Sequence, residues 1–216
     1  MLMITEQKPM EEVIRFLDKC RRVYLIGCGT CATALHTGGK SEVIEMKRQL
    51  EVADKKGAGW MVIPTVCDTL TREALAENAV DVGAADCILV MSCALGVQMV
   101  ARHSDKPVYP ALNTLFLGVE KSLGNFNELC LQCGDCVIGQ YAAICPVTTC
   151  AKSLLTGACG GAKGGKCEQE PEHDCAWVLI YERLKKLDML DKLKEKVPPK
   201  DYSKLKRPRQ LEVTPL

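Results

Sequence analysis

The chain has 216 residues, enough for one ordinary domain or for a domain of about 120 residues with a smaller satellite. Its 28 basic and 27 acidic side chains nearly cancel, which excludes a globally charged surface for nucleic acid or membrane. No apolar run approaches the roughly 20 residues of a membrane span, and the opening M-L-M-I-T-E-Q-K-P-M-E-E lacks the basic and then apolar layout of a secretory signal, so a cytoplasmic protein is expected.

In chain order, Val13, Ile14, Phe16 and Leu17 fit one face of a short helix between Pro9 and Cys20. Arg22 to Gly27, Trp60 to Thr65 and Cys87 to Ser92 are compact apolar runs read as buried strands. A weaker run, Pro107 to Leu112, carries prolines that suit an edge strand. Helical stretches lie between them at Ser41 to Lys56, Thr71 to Val80 and Val97 to His103. This alternation predicts an α/β fold: a small open parallel sheet of about four strands, Rossmann- or flavodoxin-like, with helices on its faces.

Fourteen cysteines in a chain read as cytoplasmic are expected to be metal ligands, because cytosolic thiols stay reduced. Cys28 and Cys31 follow the first predicted strand, Cys67 the second and Cys93 the third. Open α/β sheets hold ligands just past the carboxyl ends of their strands, so these four thiols are expected to share one metal centre. The turn G-C-G-T-C-A from Gly27 also resembles a dinucleotide loop. Its acidic partner would have to be Glu45 or Glu51, inside a helix, which disfavours that reading. Cys20 and Cys87 are read as small buried hydrophobes. His36 is read as a surface residue that can at most face a cluster or a partner's cofactor.

Residues 113 to 128 mix glycine and asparagine with apolar residues and are read as a connector at a domain boundary. Eight cysteines then follow in 46 residues: Cys130, Cys133, Cys136, Cys145, Cys150, Cys159, Cys167 and Cys175. The spacing C-x-x-C-x-x-C, with a fourth cysteine before Pro146, is ferredoxin-like and favours iron–sulfur clusters, with [4Fe-4S] the expected type. Zinc remains the alternative, since C-x-x-C pairs also build tetrahedral sites. With the first four thiols, twelve ligands suit three four-cysteine centres. The stretch G-G-A-K-G-G-K-C from Gly160 matches a phosphate loop until Cys167 stands where Ser or Thr is needed, so it is read as glycine-rich wrapping. Asp174 is expected to cap a helix whose stripe is Ala176, Trp177, Ile180, Leu184 and Leu187. The expected divisions are an α/β domain at 1–112, a cysteine-rich segment at 113–175, and a helix with a basic, solvated tail at 176–216.

The run from Cys130 to Leu184, C-L-Q-C-G-D-C-V through I-C-P-V-T-T-C and D-C-A-W-V-L-I-Y-E-R-L, closely resembles the cysteine-rich domain associated with methylenetetrahydrofolate reductase. That domain occurs as the small partner subunit of acetogen-type enzymes or fused to the reductase. The earlier Y-L-I-G-C-G-T-C-A-T and H-T-G-G-K look like the same small subunit. The resemblance implies a complex with a flavin-containing barrel subunit that reduces methylenetetrahydrofolate, with further electron-donor subunits as candidate partners. The family is described as both zinc-binding and iron–sulfur, so both metals stay open. A barrel needs eight βα units, and only four strands are predicted here. The expected role is therefore an electron-transfer and assembly subunit without its own active site, carrying two clusters in the cysteine-rich segment and one in the α/β domain. The alternative is a zinc-stabilised structural subunit of the same complex.

Overall fold

The computed structural model describes residues 1–211, and the end of the predicted tail, 212–216, lies outside the described residues. The chain divides into two compact units, Met1–Gly118 and Val119–Leu216. The first contains β1 (Leu2–Gln7), α1 (Met10–Phe16), β2 (Arg22–Cys28), α2 (Cys31–Ala34), α3 (Lys40–Val52), β3 (Lys56–Ile63), α4 (Leu70–Glu77), α5 (Ala79–Gly83), β4 (Cys87–Met91), α6 (Ala94–Arg102) and β5 (Val108–Pro110). Next comes β6 (Leu112–Ser122), inside which the division between the units falls.

A four-stranded parallel sheet in the order β3-β2-β4-β5 forms the centre of the first unit. β4 is buried along its whole length and β2 from its second residue onward, so both faces of the sheet need cover. Alternation along the strands divides that burden. Tyr24, Ile26, Ile88 and Val90 pack with Leu75, Val82 and Val100 from α4, α5 and α6. Val23, Leu25, Leu89 and Met91 pack on the other face with Val13 of α1 and Val43, Met46 and Leu50 of α3. The result is a doubly wound α/β layer with the proline-bearing β5 at an edge, as its composition predicts.

Two predicted boundaries shift for local reasons. β3 starts four residues earlier than its apolar run because Lys56, Gly57 and Gly59 pair with Arg22, Val23 and Tyr24. The predicted helix over 71–80 breaks into α4 and α5 at Asn78, whose side-chain amide donates to Ala74 O at 2.9 Å.

The predicted connector is a strand instead. β6 pairs antiparallel with β1, from Leu2 opposite Gly118 to Gln7 opposite Leu112. It then turns at Leu123–Gly124 into β7 (Asn125–Glu128), giving a second sheet in the order β1-β6-β7. Neither β1 nor β6 is strongly apolar; each is satisfied by a partner about a hundred residues away. Lys8 reinforces the pairing by donating to Asn113 Oδ1 at 2.6 Å.

In the second unit, α7 (Pro146–Thr149) and α8 (Ala176–Lys186) are the α-helices among the described residues, and loops carry most of the rest. Its core is small: Tyr141, Trp177, Ile180 and Leu184 are buried, with Tyr141 edge-on to Trp177 at 5.6 Å. The expected apolar stripe of α8 is buried except for Leu187, which is 48% exposed beyond the last turn. Asp174 does not cap this helix. Its carboxylate pairs with Lys166 at 2.8 Å, and Cys175 occupies the N-cap position. Among the described residues no helix is long and apolar enough to cross a membrane.

Candidate functional site

The strand order of the parallel sheet reverses between β2 and β4, because the chain leaves β2 toward β3 on one side and later returns on the other. Crevices beyond the carboxyl ends of such a pair are the usual ligand sites of open α/β sheets. Cys28 ends β2 and Cys93 immediately precedes α6 after β4, so these two buried thiols flank the reversal. Cys31 opens α2, and Cys67 lies in the loop between β3 and α4. Cys93 stands at the N-cap of α6.

Cys67 is the exposed member of the four. Its thiol is nevertheless pushed above the ordinary range, first by burial of the group and then by the nearby Cys93, Cys28 and Cys31. The structure therefore places Cys93, Cys28 and Cys31 near enough to Cys67 to act on its charge. Such repulsion at Cys67 is what a bound cation would remove. Hydrogen bonds already reach the sulfurs: Met3 N donates to Cys31 Sγ at 3.4 Å, and Cys28 Sγ lies 3.3 Å from Thr30 Oγ1. The loop that carries Cys67 is pinned by buried Thr71, whose hydroxyl donates to Val66 O at 2.7 Å. Gly27 has no room for a side chain, since a Cβ there would meet Val43 Cγ2 at 2.6 Å and Gly38 O at 2.7 Å.

In the second unit the chain winds between its cysteines through left-handed residues. Gln132 (φ 54°) and Gly134 (φ 84°) separate Cys130, Cys133 and Cys136, and Ala142 (φ 50°) and Ala143 (φ 64°) precede Cys145. Backbone N–H groups point at sulfur in two places, Gln132 N to Cys130 at 3.4 Å and Gly161 N to Cys159 at 3.5 Å. Cys145 and Cys175 occupy the N-caps of α7 and α8, and Cys150 and Cys175 pack against the small core. Cys159 donates to Glu168 Oε1 at 3.4 Å, and Glu168 pairs with Lys152. Hydrogen bonding to Glu168, opposed by desolvation, raises the Lys152 pKa, with the nearby Cys159 and Cys167 adding to it. Another lysine, Lys200, donates to Asp135 O, the same carbonyl that Cys133 Sγ approaches at 3.7 Å.

Among the described residues, no three His, Cys, Asp or Glu side chains form a group shaped to hold a single metal ion. Of the twelve candidate thiols, four lie in the first unit and eight in the second. The donor set fits a thiophilic metal, because it is sulfur-rich, served by N–H donors and placed at helix N-termini.

Other motifs find structural uses. Gly164 (φ 56°) and Gly165 (φ 81°) turn a small ladder in which Lys166 bridges both Lys163 and Asp174, without the strand and helix that flank a phosphate loop. His36 is exposed on the turn after α2 with a φ of 54°. Cys20 and Cys87 are buried at 4% and 0% exposure, and burial pushes the Cys87 thiol up beyond its ordinary range, with the Cys20 thiol beside it adding to the shift. Sequence reasoning missed Lys152, Glu168, Asp135 and Lys200. The basic character of the tail was the one signal for Lys200, and it carried no indication of where that lysine packs.

Residues 109–203 match the protein family described as methylene-tetrahydrofolate reductase C terminal, a span just under half of the chain that contains all eight loop cysteines. No curated protein and no solved structure matches the chain.

Proposed function

We propose that this chain is an iron–sulfur electron-transfer and assembly subunit of a methylenetetrahydrofolate reductase complex. The observation that supports this reading is the coincidence of the family match with the whole run from Cys130 to Cys175. The folate and flavin sites are assigned to a flavin-bearing barrel outside the described residues, since the parallel sheet here has four strands and a barrel needs eight.

In this reading Cys28, Cys31, Cys67 and Cys93 hold one centre. Cys130, Cys133, Cys136, Cys145, Cys150, Cys159, Cys167 and Cys175 hold two more in a ferredoxin-like segment. Bound clusters would supply one-electron chemistry between an external donor and the partner's flavin. The residues of this chain do the rest. Cys93, Cys145 and Cys175 stand at the N-caps of α6, α7 and α8, which fixes their backbones on helix starts. Gln132 N and Gly161 N donate to sulfur and keep those ligands oriented. The Tyr141–Trp177 core holds α8, and Cys175 at its start packs against that core.

The test is elemental analysis and visible spectroscopy of anaerobically purified protein. A broad band that bleaches on reduction, with about eight to twelve irons per chain, is the expected result. A colourless protein that holds zinc alone would replace the electron-transfer role with a structural one. Cys130→Ala and Cys133→Ala are each expected to lower the iron content and abolish donor-linked turnover; full iron with unchanged turnover would remove these residues from the ligand set.

A further inference from the structure

The tail after the second unit's core is not a free, solvated end where it passes the cysteine triplet. Four polar contacts tie it to the loop between Cys130 and Cys136. Lys200 Nζ donates to Asp135 O, and Asp201 N donates to Asp135 Oδ2 at 3.0 Å. Lys204 Nζ lies 3.7 Å from Asp135 Oδ1, and Arg209 Nη1 donates to Gln132 O at 2.8 Å. The turn Tyr202–Leu205 that spaces these anchors is itself capped, with Asp201 Oδ1 accepting from Ser203 N at 2.9 Å. Gly134 belongs to the same contact: a Cβ at that position would stand 2.8 Å from Lys204 Cβ. The glycine between Cys133 and Cys136 therefore makes room for the tail as well as supplying the left-handed turn.

Lys200 is the unusual member. Its side chain is 1% exposed. An ammonium has three N–H donors, and hiding it from water is costly unless they are used and the charge is opposed. Asp135 O takes one donor and also lies 3.7 Å from Cys133 Sγ, which brings that sulfur beside the ammonium, and the Tyr202 ring centroid is 5.7 Å away. The nearest carboxylate, Asp135, is 3.9 Å distant, beyond hydrogen-bonding range, and also serves Asp201 N and Lys204. The sulfur of Cys133, which lies 3.7 Å from the same Asp135 O, is a second group on this side that opposes the charge.

We propose that residues 200–209 form a strap that closes the Cys130–Cys136 loop, and that Lys200 is a positioning cation which donates to the metal-bound sulfur of Cys133 and offsets the negative charge of the group held there. This rests on the reading of that loop as a metal site. A cation and an N–H donor at a ligand sulfur stabilise the more negative state of a cluster and so raise its potential, and they hold the ligand in place against a competing chelator.

The experiment uses the full chain, purified anaerobically, with iron and zinc measured first. Lys200→Met keeps the length and removes the charge. Its reduced fraction, poised at the wild-type midpoint, is expected to fall about tenfold in ratio, equivalent to about 59 mV for one electron. Loss of metal to a chelator is expected to be about tenfold faster, a readout that applies to iron or zinc alike. Lys200→Arg should restore most of both. If Lys200→Met does not fold, Arg209→Ala, which removes one exposed anchor, should still speed metal loss severalfold. Protein purified with neither metal would refute the metal reading on which this rests. A metal-bearing Lys200→Met protein with unchanged midpoint and release rate would overturn the role of Lys200, and an Arg209→Ala protein with unchanged release would overturn the strap.

Discussion

Replacing Ile180 with alanine is expected to unfold the second unit at a much lower denaturant concentration. Ile180 is fully buried in α8 and belongs to a core in which Tyr141, Trp177 and Leu184 are the other buried members. Alanine removes three buried carbons at about 0.8 kcal/mol each, and the cavity they leave raises the cost to about 3 to 4 kcal/mol. At a slope of about 2 kcal/mol per molar urea the midpoint falls by about 1.5 to 2 M. The chain has two tryptophans, so a Trp60→Phe background leaves Trp177 as a reporter confined to this unit. Its indole is 8% exposed and donates to Leu154 O at 3.1 Å, so its emission reports loss of this core. The assay is Trp177 fluorescence against urea under anaerobic conditions. A midpoint shift below about 0.3 M would refute the claim that this small cluster, with α8 behind Cys175, organises the unit.

Other outcomes follow from local geometry. Gly27→Ala overpacks the space filled by Val43 and Gly38 and should cost about 1 to 3 kcal/mol, read as a lowered thermal midpoint. Thr71→Val leaves Val66 O without its hydroxyl donor and should cost about 1 to 3 kcal/mol, with faster alkylation of Cys67 as the loop loosens. Asp86 accepts from Arg22 N and Arg21 N, both at 2.8 Å, and these bonds hold its carboxyl below the usual range. A depressed carboxylate pKa adds stability above the unfolded value and loses it as pH falls through the folded one. The gap in thermal midpoint between wild type and Asp86→Asn should therefore be widest near neutral pH and close below about pH 4.

Hydrophobic periodicity and length alone determined the parallel α/β layer. Strands such as V-Y-L-I and C-I-L-V-M can be buried on both faces only between helices, and the prolines around β5 bar it from the sheet interior. The position of Cys28, Cys31, Cys67 and Cys93 past the strand ends was equally legible, because it depends on chain order within each βα unit. Tertiary structure decided what depends on distant partners. β1 and β6 carry no strong pattern of their own and become strands because each completes the other's hydrogen bonds. Asp174 looked like a helix cap until Lys166 claimed it. Lys200 read as one more solvated charge in a basic tail, and its burial against Asp135 comes from a chain path of some sixty-five residues that no local pattern encodes. Local sequence sets which backbone conformations and faces are favourable, whereas the neutralisation of a buried charge needs a partner that only the folded chain brings within reach.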